Sequence, residues 1–186
     1  MIKYSLTVNK MLQWYEILII ILGSIIFIYV LGFIVNLGFV TTFKRKINQH
    51  RKAIIIILTQ KREALFNLIE IMEKNGLNVD PRYFALLQDI DIKIFEAFYS
   101  LEAKKSRETL SYVKQDLIGI ANKSASFQKN EEYKLSALSI ASLDEQFRYL
   151  VAVYNADVIG YNYWIKFKPY AYIFLLNKSE KKDLMS

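Results

Sequence analysis

Residues 17–43 form a run of 27 positions without one charged side chain, and Lys44, Arg45 and Lys46 follow at once. A helix rises ~1.5 Å per residue, so roughly 20 apolar residues cross a bilayer's hydrocarbon. The run is long enough to span and to continue. A cleaved leader fits it poorly, because such apolar cores are about 7–15 residues long and end in a small-residue cleavage site. The reading is an uncleaved transmembrane helix over 17–43. Lys3 and Lys10 precede the run, and five basic residues follow it within ten positions. The positive-inside rule then makes residues 1–16 a short extracytoplasmic N-terminus and places Lys44 onward in the cytoplasm. The expected location is the cell membrane, with a single pass.

Beyond residue 43, 143 residues remain, enough for one compact domain with a real core. The chain has no cysteine, which excludes disulfides and thiolate chemistry, and its single histidine excludes a His-rich metal site. Two prolines and six glycines leave little material for tight turns and favour helices. The formal charge of +7 invites a nucleic-acid reading, but its distribution opposes one. Residues 44–52 hold five basic and no acidic side chains. Residues 53–160 hold 13 basic and 15 acidic, and residues 161–186 hold five basic and two acidic. The excess sits at the two ends of the region after the run, and no nucleic-acid partner is expected.

The fold class read from periodicity is all-α: an N-terminal transmembrane helix continuing into an up-down four-helix bundle of long antiparallel helices, over 44–170. The first helix should run from about Leu12 to Lys74. It carries Ile47, Ile54, Leu58, Leu65, Leu68 and Met72 on one stripe, and Asn75-Gly76 stops it. Asp80-Pro81 should open the second, as an N-cap followed by proline at the first helical position. Its stripe would be Phe84, Leu87, Ile94, Phe98 and Leu101. The polar run 104–107 reads as a break, with Ser106 capping a third helix on Leu110, Val113, Leu117 and Ile120. The fourth should begin near Glu131, whose charge suits the helix dipole. It carries Ile140, Leu143, Phe147, Leu150, Tyr154, Val158, Tyr161 and Ile165, and Pro169 closes it.

In an up-down bundle the fourth helix returns towards the membrane. The sequence there interleaves aromatics with lysine: Tyr163, Trp164, Lys166, Phe167, Lys168, Tyr170 and Tyr172. Rings at headgroup level and ammonium groups near anionic lipid suit an interfacial segment. Together with Lys44, Arg45 and Lys46, these residues are expected to contact the membrane surface. The alternative is that the aromatics cap the bundle core. Residues 171–186 read as a C-terminal tail. Within the apolar run, Gly23, Ser24, Gly32, Asn36 and Gly38 either form a helix-helix contact face or reflect glycine's frequency in membrane helices.

No phosphate loop, dinucleotide fingerprint, nucleophile elbow or zincin motif occurs. His50 has Arg51 and Lys52 beside it and no carboxylate nearby in sequence, so it reads as a solvated surface residue. A di-iron bundle needs Glu-x-x-His on two helices, and no histidine follows His50. Glu70 and Glu73 sit three apart on helix one without the histidines such a site needs, and Asp89 with Asp91 and Glu131 with Glu132 read as solvated faces. No catalytic residue, metal ligand or cofactor is expected, and no enzymatic activity.

One constellation stands out: Tyr154-Asn155, Val158, Tyr161-Asn162 and Ile165, a seven-residue repeat of Tyr-Asn on helix four, followed by Pro169. The tyrosines fall on the apolar stripe and the asparagines at its edge. Polar groups at a core boundary must find partners, since an unpaired buried one costs about 1–3 kcal/mol. The repeat is either a polar ladder fixing helix register or a recognition surface.

These residues resemble the final-helix pattern of the LemA family, Y-N-x-x-V-x-x-Y-N-x-x-I followed by F-P. Lys168 stands here where that phenylalanine precedes the proline. Lys129-Asn130-Glu131-Glu132-Tyr133 is similar to the family's K-A-N-E-x-[FY], and residues 63–70, EALFNLIE, are similar to D-L-I-P-N-L-V-E, with Phe66 in place of the proline. The resemblance implies a short outside N-terminus, one membrane helix and a cytoplasmic helical bundle. It implies no settled activity, although neighbouring genes for a membrane zinc metalloprotease connect the family with membrane quality control. The function expected is a docking or scaffold module for another membrane protein. The alternative is a lipid-interacting protein working through its aromatic-basic C-terminal segment. Self-association is open.

Overall fold

The computed structural model describes residues 2–167, 170 and 180–185, with side chains from Trp14 onward. Its elements are α1 (Ile2–Lys74), α2 (Pro81–Gln88), a 3-10 turn (Ile92–Glu96), α3 (Leu101–Asn122), a second 3-10 turn (Phe127–Lys129) and α4 (Glu131–Ile165). No strand occurs among the described residues, and the chain is all-α as its periodicity demands. α1 starts ten residues earlier than expected, because residues 2–12 contain no glycine or proline to stop it.

The chain forms two compact units: Met1–Phe43 with Tyr161–Lys181, and Lys44–Gly160 with Lys182–Ser186. In the first unit, the apolar side chains of α1 from Trp14 to Leu31, Leu22, Ile26 and Phe27 among them, stand exposed around the helix. Among the described residues this is one helix long and apolar enough to cross a membrane, by length and composition.

In the second unit, the expected stripe of α1 forms the core. Ile47, Ile54, Leu58, Leu65, Leu68 and Met72 are all buried, against Leu87, Leu110, Val113, Leu117, Ile140, Tyr154 and Val158. The pairing directions follow from side-chain bonds. On α1 and α4, His50 meets Asp157, Lys61 meets Asp144 and Lys74 meets Glu132, so the two run antiparallel. α3 is likewise antiparallel to α4, with Lys114 on Asp144 and Asn122 near Tyr133. α2 runs against α1, its Leu87 carbonyl accepting from Arg62 Nε at 2.7 Å and its Phe84 ring 5.0 Å from Phe66.

Local chemistry explains most boundaries. Gly76 takes φ 77°, the left-handed conformation that ends α1. Asp80 accepts from the Arg82 amide and caps α2. The second helix is shorter than its stripe predicts. Asp91 accepts from the Lys93 amide at 2.9 Å, and that local bond competes with helix continuation. Ile94 and Phe98 therefore lie in the turn region, and Leu101 opens α3, 81 % exposed. The third helix also starts earlier than expected. Ser100, not Ser106, is its N-cap and accepts from the Ala103 amide at 3.0 Å. The run 104–107 is helical, with Ser106 buried and its charged neighbours Lys104 and Lys105 on the exposed face. Asn130 caps α4 through the Tyr133 amide at 3.1 Å.

Candidate functional site

The Tyr-Asn repeat divides between the two units. Tyr154 is buried at the second unit's core, its ring 5.2 Å from Phe98 and its hydroxyl hydrogen-bonded to that of Tyr99. Val158 is buried beside it. Asn155, one position round the helix, is half-buried and makes two bonds to one backbone residue. Its Nδ2 donates to the Met185 carbonyl at 2.9 Å, and its Oδ1 accepts from the Met185 amide at 2.8 Å. Tyr99 Oη donates to the Asp183 carbonyl at 2.9 Å. The chain near its end therefore lies in a groove. Backbone groups of residues 183 and 185 face the groove, the Met185 side chain is 5 % exposed, and Leu184 between them points outward.

The groove's wall is Phe98, Tyr99, Leu101, Lys104 and Arg107, bounding a space of about 320 Å³ with the segment in place. Two arginines hold the turn that forms it. Arg107 Nη1 donates to the Phe98 carbonyl at 3.3 Å, and Arg51 donates to the Glu96 carbonyl with its guanidinium 5.8 Å from the Phe98 ring. Burial pushes the Arg107 guanidinium below its ordinary pKa. Lys182 is half-buried. Burial, then the charges of Lys44 and Arg51, lowers the pKa of Lys182. The sequence placed Asn155 at a core edge in need of a partner. It held no signal that the partner would be the backbone of Met185.

The bundle's ionic groups pair across helices. Asp144 accepts Lys61 at 2.6 Å and Lys114 at 2.7 Å, with Lys61 only 5 % exposed. Burial alone would raise the Asp144 carboxyl. The hydrogen bonds and charges of Lys114 and Lys61 outweigh it and hold the carboxyl below its ordinary value. Tyr83 donates to Asp116 at 2.9 Å, a bond that pushes its phenol up to about 12. His50 departs from expectation. It is partly covered, with Nε2 3.3 Å from the buried Asp157 carboxylate. The pair is 107 positions apart in sequence, so no local pattern reveals it. Asp89, Asp91, Glu131 and Glu132 are exposed as expected, and Glu70 and Glu73 are exposed too. Among the described residues no group of three or more histidines or carboxylates is placed to hold a metal.

In the first unit, Tyr161 and Ile165 are buried, Asn162 is half-buried and Tyr163 is exposed. Trp164 stacks on Phe39 with centroids 4.6 Å apart and planes 6° from parallel. Tyr170, expected at the membrane surface, is instead buried on α1. Its ring lies 5.0 Å from Tyr29 and 5.7 Å from Phe33, and its hydroxyl donates to the Tyr29 carbonyl. Gly32 admits it: a Cβ there would collide with the Tyr170 hydroxyl, whereas Gly23 and Gly38 face open space. Asn36 is 1 % exposed, and among the described residues its amide makes no hydrogen bond. Lys166 is exposed and its pKa is lowered by the Lys181 amine beside it. Phe167 lies at the surface, and Lys44, Arg45 and Lys46 are exposed. Lys168, Pro169 and Tyr172 lie outside the described residues, as does most of the expected tail.

Comparison of the chain with protein-family models, curated proteins and solved structures finds no match.

Proposed function

We propose that the protein is a single-pass membrane protein of LemA type, with its N-terminus outside and its bundle in the cytoplasm, and that it works as a docking or scaffold module for another membrane protein. The observation that carries the anchor is the exposed apolar surface of α1 from Trp14 to Leu31. A contiguous apolar surface of that extent marks a membrane or protein contact. Docking is favoured over catalysis by what the ionic groups do. Lys61, Lys114 and Asp144, His50 and Asp157, and Tyr83 and Asp116 join helix to helix instead of converging on a cavity. The resemblance in the Tyr-Asn repeat supports the LemA reading, and the basic residues after position 43 support the orientation. Crosslinking in cells tests the role. One discrete adduct with a second protein is expected; homo-adducts alone, or none, would overturn it.

A second reading rests on Trp164 and Tyr170 packed along the apolar helix at Phe39 and Tyr29. Ten positions of helix separate those two α1 contacts, ~15 Å along its axis. A segment lying along a membrane helix over that length would enter the inner leaflet, which makes the protein a lipid-interacting one. In a Trp14→Phe chain, Trp164 fluorescence should then be quenched by brominated acyl chains. Quenching by aqueous iodide that is equal with and without lipid excludes this reading.

A further inference from the structure

The groove that holds residues 183–185 leaves three large apolar side chains exposed on its lining. Leu101 is 81 % exposed, Leu184 54 % and Tyr99 49 %, and all three border one space with Lys104 and Arg107. Scattered apolar residues are ordinary on a surface, whereas a group of them rimmed by polar residues marks a contact. The group is held in place. The bonds of Asn155 to Met185 and of Tyr99 to the Asp183 carbonyl fix the segment that presents Leu184.

Side-chain bonds put this group at one end of the second unit. Arg51 donates to the Glu96 carbonyl and lies over Phe98, and Tyr99 is hydrogen-bonded to Tyr154. Lys74 with Glu132 and Asn75 with Asn130 mark the other end, and Lys61, Asp144 and Lys114 the middle. The two ends differ in charge. On the groove side, residues 44–60, 89–113, 145–160 and 182–186 hold 11 basic and eight acidic side chains, a net of +3. On the far side, residues 62–88 and 115–143 hold six and seven, a net of −1. Lys44, Arg45, Lys52, Lys93, Lys104 and Lys105, all on the groove side, are exposed. Only eight residues of chain separate Arg51 from Phe43, the last position of the uncharged run, a rise of ~12 Å if helical.

We propose that this exposed group is a lipid-contact site, in which Leu101, Leu184 and the Tyr99 ring enter the headgroup boundary of an anionic leaflet while the lysines around them meet its charge. The inference rests on the membrane anchor proposed above, and it adds a contact separate from the one read from Trp164 and Tyr170. Both halves of the surface fit lipid. The apolar side chains gain by leaving water, and each Lys or Arg near an anionic leaflet contributes about 1 kcal/mol. Residues 183–185 stay in their groove, and nothing has to be displaced.

The test uses the whole chain in nanodiscs of phosphatidylcholine and phosphatidylserine. A polarity-sensitive dye is attached at Leu101→Cys, at Leu184→Cys or, for comparison, at Ser126→Cys in the turn before α4; the chain has no cysteine of its own. Nitroxides on the upper acyl chain should quench the dyes at positions 101 and 184 at least about threefold more than the dye at 126. Lys104→Gln combined with Lys105→Gln should lower the ratio of lipid-bound to free dye at position 184, read from its emission decay, by at least about fivefold, and high salt should act in the same direction. Both lysines are exposed, so the variant removes charge without touching the core. If the chain stays with the lipid and the dyes at 101 and 184 are quenched no more than the dye at 126, the contact is overturned and the anchor stands. A chain that does not stay with the lipid overturns anchor and contact together. Quenching that is unchanged in phosphatidylcholine alone or at high salt overturns the anionic leaflet. Dyes shielded from both the lipid nitroxide and aqueous iodide mark a protein partner and overturn the lipid.

Discussion

Asp144 shows how a single side chain organises this bundle. Its carboxylate is shared between Lys61 on α1 and Lys114 on α3, and Lys61 is almost fully buried. Removing one partner of a buried pair leaves an uncompensated charge, which costs more than the pair contributes. Because Asp144 and Lys114 are partly solvated, Asp144→Asn should destabilise the protein by about 1–3 kcal/mol. Lys61→Met, which leaves Asp144 paired with Lys114, should change stability by less than ~1 kcal/mol. Thermal unfolding of the two variants checks the asymmetry. The pH dependence follows from the lowered folded pKa of Asp144. A group whose pKa is depressed on folding stabilises above its unfolded value, and that contribution disappears as pH falls through the folded one. The deficit of Asp144→Asn should be constant near neutrality and shrink below the ordinary 3.8. A deficit that grows on acidification would contradict the assignment.

Helix boundaries depend on whether a polar residue competes with the backbone or caps it. Asp80-Pro81, Asn75-Gly76 and the start of α4 were legible in sequence because each is a local device spanning two or three residues. The α2–α3 region was misread for a related reason. Its apolar spacing continued through residues 94–101, but Asp91 bonds the Lys93 amide and Ser100 the Ala103 amide, and those two local bonds interrupt the helix. The run 104–107 looked like a break only because it is charged; on a solvent-facing helix surface it breaks nothing. Ser100→Ala should cost about 1 kcal/mol through loss of the cap. Ser106→Ala, which removes no cap, should stay within ~0.5 kcal/mol. Equal losses in chemical unfolding would return the cap to Ser106.

For the whole molecule, the absence of cysteine makes the proposed topology directly measurable, because any introduced thiol is the only one. Cysteine placed at Ser5 should react with a membrane-impermeant maleimide in intact cells. Cysteine placed at Ser126, in the turn before α4, should react only after permeabilisation. The reverse pattern would invert the protein while leaving the anchor in place.

What the sequence determined by itself was whatever is local or periodic: an all-α chain, an uncharged run long enough for a bilayer, the buried stripe of α1, the capped start of α2 and the position where α4 begins. These follow from backbone hydrogen bonding and from the 3.6-residue period, which act within a few turns. Tertiary structure alone decided the pairings. Asp157 reaches His50, Asp144 gathers two lysines from other helices, Gly32 admits Tyr170, and Asn155 grips the backbone of Met185. Partners so distant in the chain leave no periodic trace, and a bond to a main-chain amide can be made to any residue. The Tyr-Asn repeat could therefore announce that Asn155 needed a partner, and only the folded chain could supply one.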